Sequence, residues 1–149
     1  MEARGRMLLG AAFAGTAIEH SMLGAAHSAA NPLTAHFDVI HGQAVGLMLP
    51  HVVRFNGEDA TIATVYTELV AGTAAASNNG ASAHESLAAA LEGFMDAADL
   101  PRDLAACGVD AGKVNVLSEE AAGQWTASFN PRDITAADFT GLYSRAFGS

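Results

Sequence analysis

The sequence predicts an all-α fold, a helical bundle around one core. Three observations carry that prediction. No stretch alternates apolar and polar residues long enough to insist on a strand, whereas apolar residues recur at helical spacing, as at 62, 65, 66, 69 and 70. Hydrophobic residues make up 50% of the 149 and charged residues 15%, with a mean hydropathy of +0.22, so large areas of helix surface must be buried. Pro32, Asn56-Gly57, Leu100-Pro101 and Asn130-Pro131 punctuate the chain at intervals that suit helices. A single domain over residues 1–149 is expected, and no internal repeat is apparent to the eye.

Residues 3–30 are Ala/Gly-rich and read as one helix. Gly10, Gly15 and Gly24 should mark close helix contacts, since each costs about 1 kcal/mol of helix propensity against alanine. His20, Gly24, His27 and Asn31 recur at i, i+4, i+7 and i+11 and so share one face of that helix. Pro32 removes a backbone donor and biases Asn31 toward an extended conformation, which predicts a stop or kink just after His27 and Asn31.

Residues 31–40 then form a turn-rich link, in which Asp38 is a cap, an acceptor behind a ligand or a substitute ligand. A second helix opens at His41-Gly42 and runs through Phe55, with a bend at Pro50, because Gly46 four residues earlier absorbs the ring clash. His41 at a helix start meets the positive end of the macrodipole, which favours a neutral imidazole.

After the Asn56-Gly57 turn, an amphipathic helix starts from Glu58. Residues 74–82, AAASNNGAS, are the least structured link. A helix from about Ala83 to Ala98 follows, with Leu87, Leu91, Phe94 and Met95 as its buried stripe and His84 exposed near its start. Another spans about Ala111 to Ser128 and carries Trp125, read as core. Thr135 with Asp138 three residues on approximates a capping box that opens the last helix.

Charge and composition exclude some roles. The net charge is −9, and the seven basic residues are spread singly, which leaves no stripe for nucleic acid or an anionic membrane surface. The run MLLGAAFAGTAI is only about a dozen residues, too short to span a bilayer; Arg4 and Arg6 before it imitate a signal peptide, but a core helix is the preferred reading. The single cysteine, Cys107, excludes an internal disulfide framework, fits a reducing cytoplasm and reads as a packed residue.

Residues 18–56 hold five of the six histidines, at 20, 27, 36, 41 and 51. Two imidazoles from consecutive helices, His27 and His41, could share one ion. A histidine on an apolar helix can equally be a hydrogen-bonded core residue or a partner contact. The 13 residues between these two match none of the compact zinc motifs.

The segment LGAAHSAANPLTAHFDVIHGQAVGLMLPHVVRFN resembles the metal-binding core of the iron-dependent (group III) alcohol dehydrogenases. Their pattern runs roughly as L-G-x-x-H-x-x-x-H-x-L, a gap to P-H-G, and L-P-x-V-x-x-F/Y-N. The segment EEAAGQWTASFNPRDITAADFTGLYSRAF also reads like that family's C-terminus. The resemblance implies a C-terminal helical domain of the dehydroquinate synthase-like kind. In that family a divalent ion, iron(II) or sometimes zinc, is held by one aspartate and three histidines, and His27 and His41 match two of these. It further implies that Asn31 lines the nicotinamide side of an NAD(P) cleft and orients substrate or water, with Ile18 and Phe37 as apolar wall, for oxidoreduction of a small alcohol.

The chain departs from that pattern at three positions. Asn31 stands where many members carry histidine, His20 where asparagine is usual, and Ile40 where proline precedes the second ligand. The nucleotide-binding half, with its Gly-rich loop and the other two ligands, has no counterpart in these 149 residues; SNNGAS at 77–82 follows a helical pattern and reads as a loop, not a phosphate cradle. The start at Met1 looks like a helix cut from something longer. The isolated chain is therefore expected to hold metal weakly and to lack activity. It would be repaired by a partner chain carrying the missing half, or would self-associate through an exposed apolar face. Two other accounts compete: a non-enzymatic helical interaction module that keeps the histidines by descent, and an unrelated helical metalloprotein that completes its site with Asp38, Glu19 or His20.

Overall fold

Apolar residues at 25, 26, 29, 30 and 33 and at 44, 47, 48, 52 and 55 each fall on one helical stripe, and both stripes are buried. They belong to two helices, α2 (Ala25–Phe37) and α3 (His41–Gly57), which pack on each other. A computed structural model of the chain describes residues 1–73 and 80–148. Its other helices are α1 (Glu2–Ser21), α4 (Ala60–Val70), α5 (Ala83–Ala97), α6 (Val114–Ala122) and α7 (Ala136–Ala146), with no strand among the described residues. The all-α expectation holds.

Helix α3 is the hub, packing against α2, α4, α5 and α7, while α6 lies on α2 and α7. Phe139, Leu142, Tyr143 and Ala146 of α7 are all fully buried, and Leu104 reaches the same core from the loop before α6, its N–H donating to Ala146 O at 2.9 Å. The expected capping box of α7 is present, with Thr135 and Asp138 exchanging side-chain to backbone bonds. Among the described residues, no helix is long and apolar enough to cross a membrane.

The long helix expected over residues 3–30 is broken at Met22–Gly24, where Met22 has φ 63°. Pro32 lies inside α2 instead of ending it. Gly24 lies against Asn130, where a Cβ would make ordinary contact with Oδ1 at 3.4 Å, and the same Oδ1 accepts the Ala25 N–H at 3.4 Å, a helix-start donor that no intrahelical acceptor could satisfy. Tertiary contact thus sets the break. Pro32 is buried within α2, which continues through it despite the backbone bond it forgoes. Consequently residues 31–37 of the expected link are helical, and only Asp38 to Ile40 form the turn.

Five further expectations change. Helix α1 has no buried residue, and a Cβ at Gly10 or Gly15 would meet nothing within 4 Å, so neither glycine marks a helix contact here. In α5, Met95 is buried but Phe94 is 71% exposed, because the face toward α3 is set by Gly46, whose missing Cβ lets Met95 Sδ come within 3.0 Å of its place. His84 is half-buried rather than exposed, packed over Gly57. The helix expected over 111–128 stops at Ala122, and Gly123-Gln124 leads into a separate 3-10 segment, Trp125–Phe129. Trp125 is 61% exposed, edge-on to Phe129 with ring centres 5.8 Å apart, and is not core. Helix α3 runs through Pro50 without stopping. Most of the AAASNNGAS link lies outside the described residues.

Candidate metal centre

His27 stands in the first turn of α2, and His41 is the first residue of α3. Asp38 ends α2 in the left-handed conformation, φ 53°, and Ile40 leads into α3. The two imidazole rings lie 5.6 Å apart between centres, tilted by 49°. Two imidazoles that share one ion at a metal–nitrogen distance of about 2.1 Å have ring centres about 5 Å apart, so the spacing suits a common ion. Burial, and then the neighbouring His41, push the His27 imidazole below its ordinary pKa. Its ring is neutral at pH 7, the protonation state in which a nitrogen lone pair is free.

Among the described residues, no group of three His, Cys, Asp or Glu side chains converges to hold an ion. Asp38, Glu19 and His20 therefore do not complete a site with the pair. His20 leaves the shared face because the chain breaks after α1; its Nδ1 lies 2.8 Å from Thr16 O on its own helix. The donor set present fits two positions of a coordination sphere.

Asn31 follows His27 by four residues on α2, and its Nδ2 donates to Gln124 Oε1 at 3.0 Å. Ile18 borders a cleft of about 290 Å3 that His27, Val45, Leu49 and Tyr66 also line. Phe37 does not line that cleft; it packs half-buried against the core, its ring 6.3 Å from that of His36. The structure thus gathers His27 with His41, sets Ile18 beside His27 across the cleft, and places Phe37 apart.

The anchor beneath this arrangement escaped the sequence reading. Asn56 and Asn130, both buried, exchange two amide bonds: Asn56 Nδ2 donates to Asn130 Oδ1 at 3.1 Å, and Asn130 Nδ2 donates to Asn56 Oδ1 at 2.7 Å. Asn130 Nδ2 also donates to Arg132 O at 2.7 Å. Arg132 in turn stacks over the Phe55 ring at 3.9 Å, and its Nη1 donates to Phe55 O and Glu58. With the Ala25 N–H on Asn130 Oδ1, these bonds pin the start of α2, two residues before His27, to the end of α3. Asn56-Gly57 and Asn130-Pro131 read as turn signals alone; their pairing across 74 positions left no local trace.

Comparison with known proteins covers nearly the whole chain. A model of the Fe-containing alcohol dehydrogenase family, C-terminal, matches residues 1–147. The chain is 30% identical over 144 residues to lactaldehyde reductase of Escherichia coli (strain K12), covering 95% of this chain and 37% of that protein. It is 27% identical over 146 residues to the NADPH-dependent butanol dehydrogenase of Clostridium saccharobutylicum, again 95% of this chain and 37% of the relative. In structure it is similar to an alcohol dehydrogenase from Oenococcus oeni, with TM-score 0.80 and 24% identity over 90% of this chain and 35% of that one. It is also similar to a 1,3-propanediol oxidoreductase, with TM-score 0.69 and 26% identity over 85% and 33%. The chain spans about a third of the length of the relatives it matches.

Proposed function

We infer the function from one premise: this chain belongs to the Fe-containing alcohol dehydrogenase family, as its C-terminal domain. Its 149 residues act as the helical metal-binding half of an NAD(P)-dependent alcohol dehydrogenase, and they lack that activity by themselves. The observation that carries this reading is the convergence of His27 and His41 from two helices, 5.6 Å between ring centres.

His27 and His41 would hold the divalent ion, iron(II) or zinc, each through a neutral imidazole. When bound, the ion supplies Lewis-acid polarisation of an alcohol or aldehyde oxygen. Asn31 orients substrate or water on the nicotinamide side; holding its amide on Gln124 fixes which way its carbonyl faces. Ile18 gives the cleft beside His27 an apolar wall that excludes water. Phe37 packs half-buried against the core beside the link between the two helices.

Two imidazoles leave most coordination positions to solvent, so the ion is held weakly until further ligands arrive. A polypeptide carrying the nucleotide-binding half would bring them. Met7, Leu8, Leu9 and Phe13 on α1, from 55% to 75% exposed, offer apolar surface for such a partner or for self-association.

Purified chain is tested for alcohol-dependent NAD(P)H formation with iron(II) or zinc, alone and with a chain carrying the nucleotide-binding half. Activity only in the mixture is expected, and robust activity of these 149 residues alone refutes the reading. Cobalt(II) absorption separates metal binding from turnover. Wild type should show weak binding that His27→Ala and His41→Ala each abolish; a spectrum unchanged by both substitutions favours the interaction-module account.

A further inference from the structure

A second cavity, of about 310 Å3, lies along α3 away from the imidazole pair. His51, on its wall, follows His41 by ten residues, about 15 Å of helix rise. Its apolar floor is Gly46, Leu47, Pro50 and Met95. Its rim carries Arg102 and Arg145, opposed by Glu92 and Asp103.

The two carboxylates are engaged. Glu92 receives Arg54 at 2.5 Å on one oxygen and Arg102 at 3.4 Å on the other, and Asp103 Oδ1 accepts the Ala105 N–H at 2.6 Å. Arg145 forms no ion pair among the described residues, although its guanidinium has five donors. Arg102 and Arg145 thus lie at the cavity, and Arg54, held by Glu85 and Glu92, lies close enough to act on His51.

The field they create registers on His51. Burial pushes its imidazole down to about 4, and Arg54, Arg145 and Arg102 push in the same direction while Glu92 opposes them. The ring is neutral at pH 7 and can donate from one nitrogen. A cavity of this size, apolar below and with the Arg145 guanidinium left unpaired among otherwise balanced rim charges, has the make-up of a small-ligand site.

We propose that this cavity binds a small organic carboxylate with a short apolar tail, its head on the unpaired Arg145 beside Arg102, whose Nη1 is held by Asp96 at 2.9 Å, and its tail on the floor of Leu47, Pro50 and Met95. Planar guanidinium groups match a carboxylate in bidentate fashion. A monoanion also suffers less repulsion from Glu92 and Asp103 than a phosphate dianion does, and phosphate has no apolar part to cover the floor.

The test is an NMR titration of the full chain at pH 7 with butyrate, inorganic phosphate and butyramide, following the Met95 methyl and His51 ring resonances. Butyrate should saturate both signals and raise the pH at which His51 protonates. Arg145→Gln should weaken butyrate about tenfold, the effect of removing one charge-assisted contact. Arg102→Gln, a second variant, guards against a folding defect in the first, and the thermal melt of each is recorded beside it. His27→Ala should bind butyrate as wild type does, which separates this site from the imidazole pair. The proposal falls if wild type fails to bind butyrate or if butyrate binding ignores both arginine substitutions. It falls too if phosphate or butyramide binds as tightly as butyrate, or if His27→Ala loses butyrate.

Discussion

Replacing Asn130 with alanine tests whether one buried amide anchors the start of α2. The side chain is 9% exposed and takes part in four hydrogen bonds: with the Ala25 N–H, with both amide groups of Asn56, and with Arg132 O. A typical bond contributes about 0.5–1.5 kcal/mol net, and a buried partner left unsatisfied costs about 1–3 kcal/mol. The Ala25 N–H bond, at 3.4 Å, is the weakest of the four. Alanine strands the Asn56 amide in the core, so a total loss of about 3–5 kcal/mol is expected. For a chain of this length, that lowers Tm by about 10–15 °C.

The assay is urea and thermal denaturation followed by far-UV circular dichroism. Asn130→Asp should fall between the two, because it keeps an acceptor for Ala25 N–H but loses the donors to Asn56 and Arg132. Ala25 lies two residues before His27, so weakened cobalt(II) binding should accompany the loss at temperatures where the variant is still folded. A destabilisation below about 1 kcal/mol would refute the anchoring role.

Other perturbations have equally direct readouts. Because the folded state depresses the His51 pKa to about 4 from 6.5, the unfolded chain binds the extra proton first, and stability should fall as pH drops from about 6.5 to about 4. His51→Gln should flatten that slope in a urea series across the window; an unchanged slope would contradict it. Tyr143→Phe removes a buried hydroxyl that donates to Ala29 O at 2.7 Å and should cost about 1–2 kcal/mol, read from the urea midpoint. Thr135→Ala, which breaks the capping box of α7, should cost about 1 kcal/mol. The Thr135 bonds hold the Asp138 carboxyl below its ordinary pKa of 3.8, so this stabilisation is present above 3.8 and disappears as pH falls through the folded value. Thr135→Ala should therefore lose the part of its penalty that runs through the Asp138 carboxylate in acid and keep the part from the cap bond to the Asp138 N–H.

Where the sequence spoke through local chemistry, the structure agrees. The helical period of the chain, the cap at Thr135 and the passage of α3 through Pro50 all follow from neighbours within a few residues. Where it failed, a distant residue had the deciding contact. Pro32 looked like a helix end until Leu33 and the rest of its face found a core, and Gly24 looked like a helix contact until Asn130 turned it into a helix start. Trp125 looked like a core residue by size and Phe94 by its place in a helical stripe, but Trp125 is exposed on its 3-10 segment and the close approach of Met95 to Gly46 turns Phe94 outward. The candidate centre divides the same way. His27, Asn31 and His41 stood out as unusual side chains on apolar helices, and the family pattern singled out the pair. The Asn56–Asn130 exchange and the arginine-rimmed cavity did not stand out, because their members lie far apart in the chain.

By itself, the sequence determined that this protein is helical, where the last helix is capped, and which residue types could serve a metal, since these depend on periodicity and side-chain chemistry over a few turns. Only the tertiary structure decided where α2 begins, that two rings 14 positions apart in the chain lie 5.6 Å from each other, and that three arginines act on His51. The physical reason is that each of these is set by packing between elements far apart in the chain, and backbone propensity carries no record of which distant side chain will arrive.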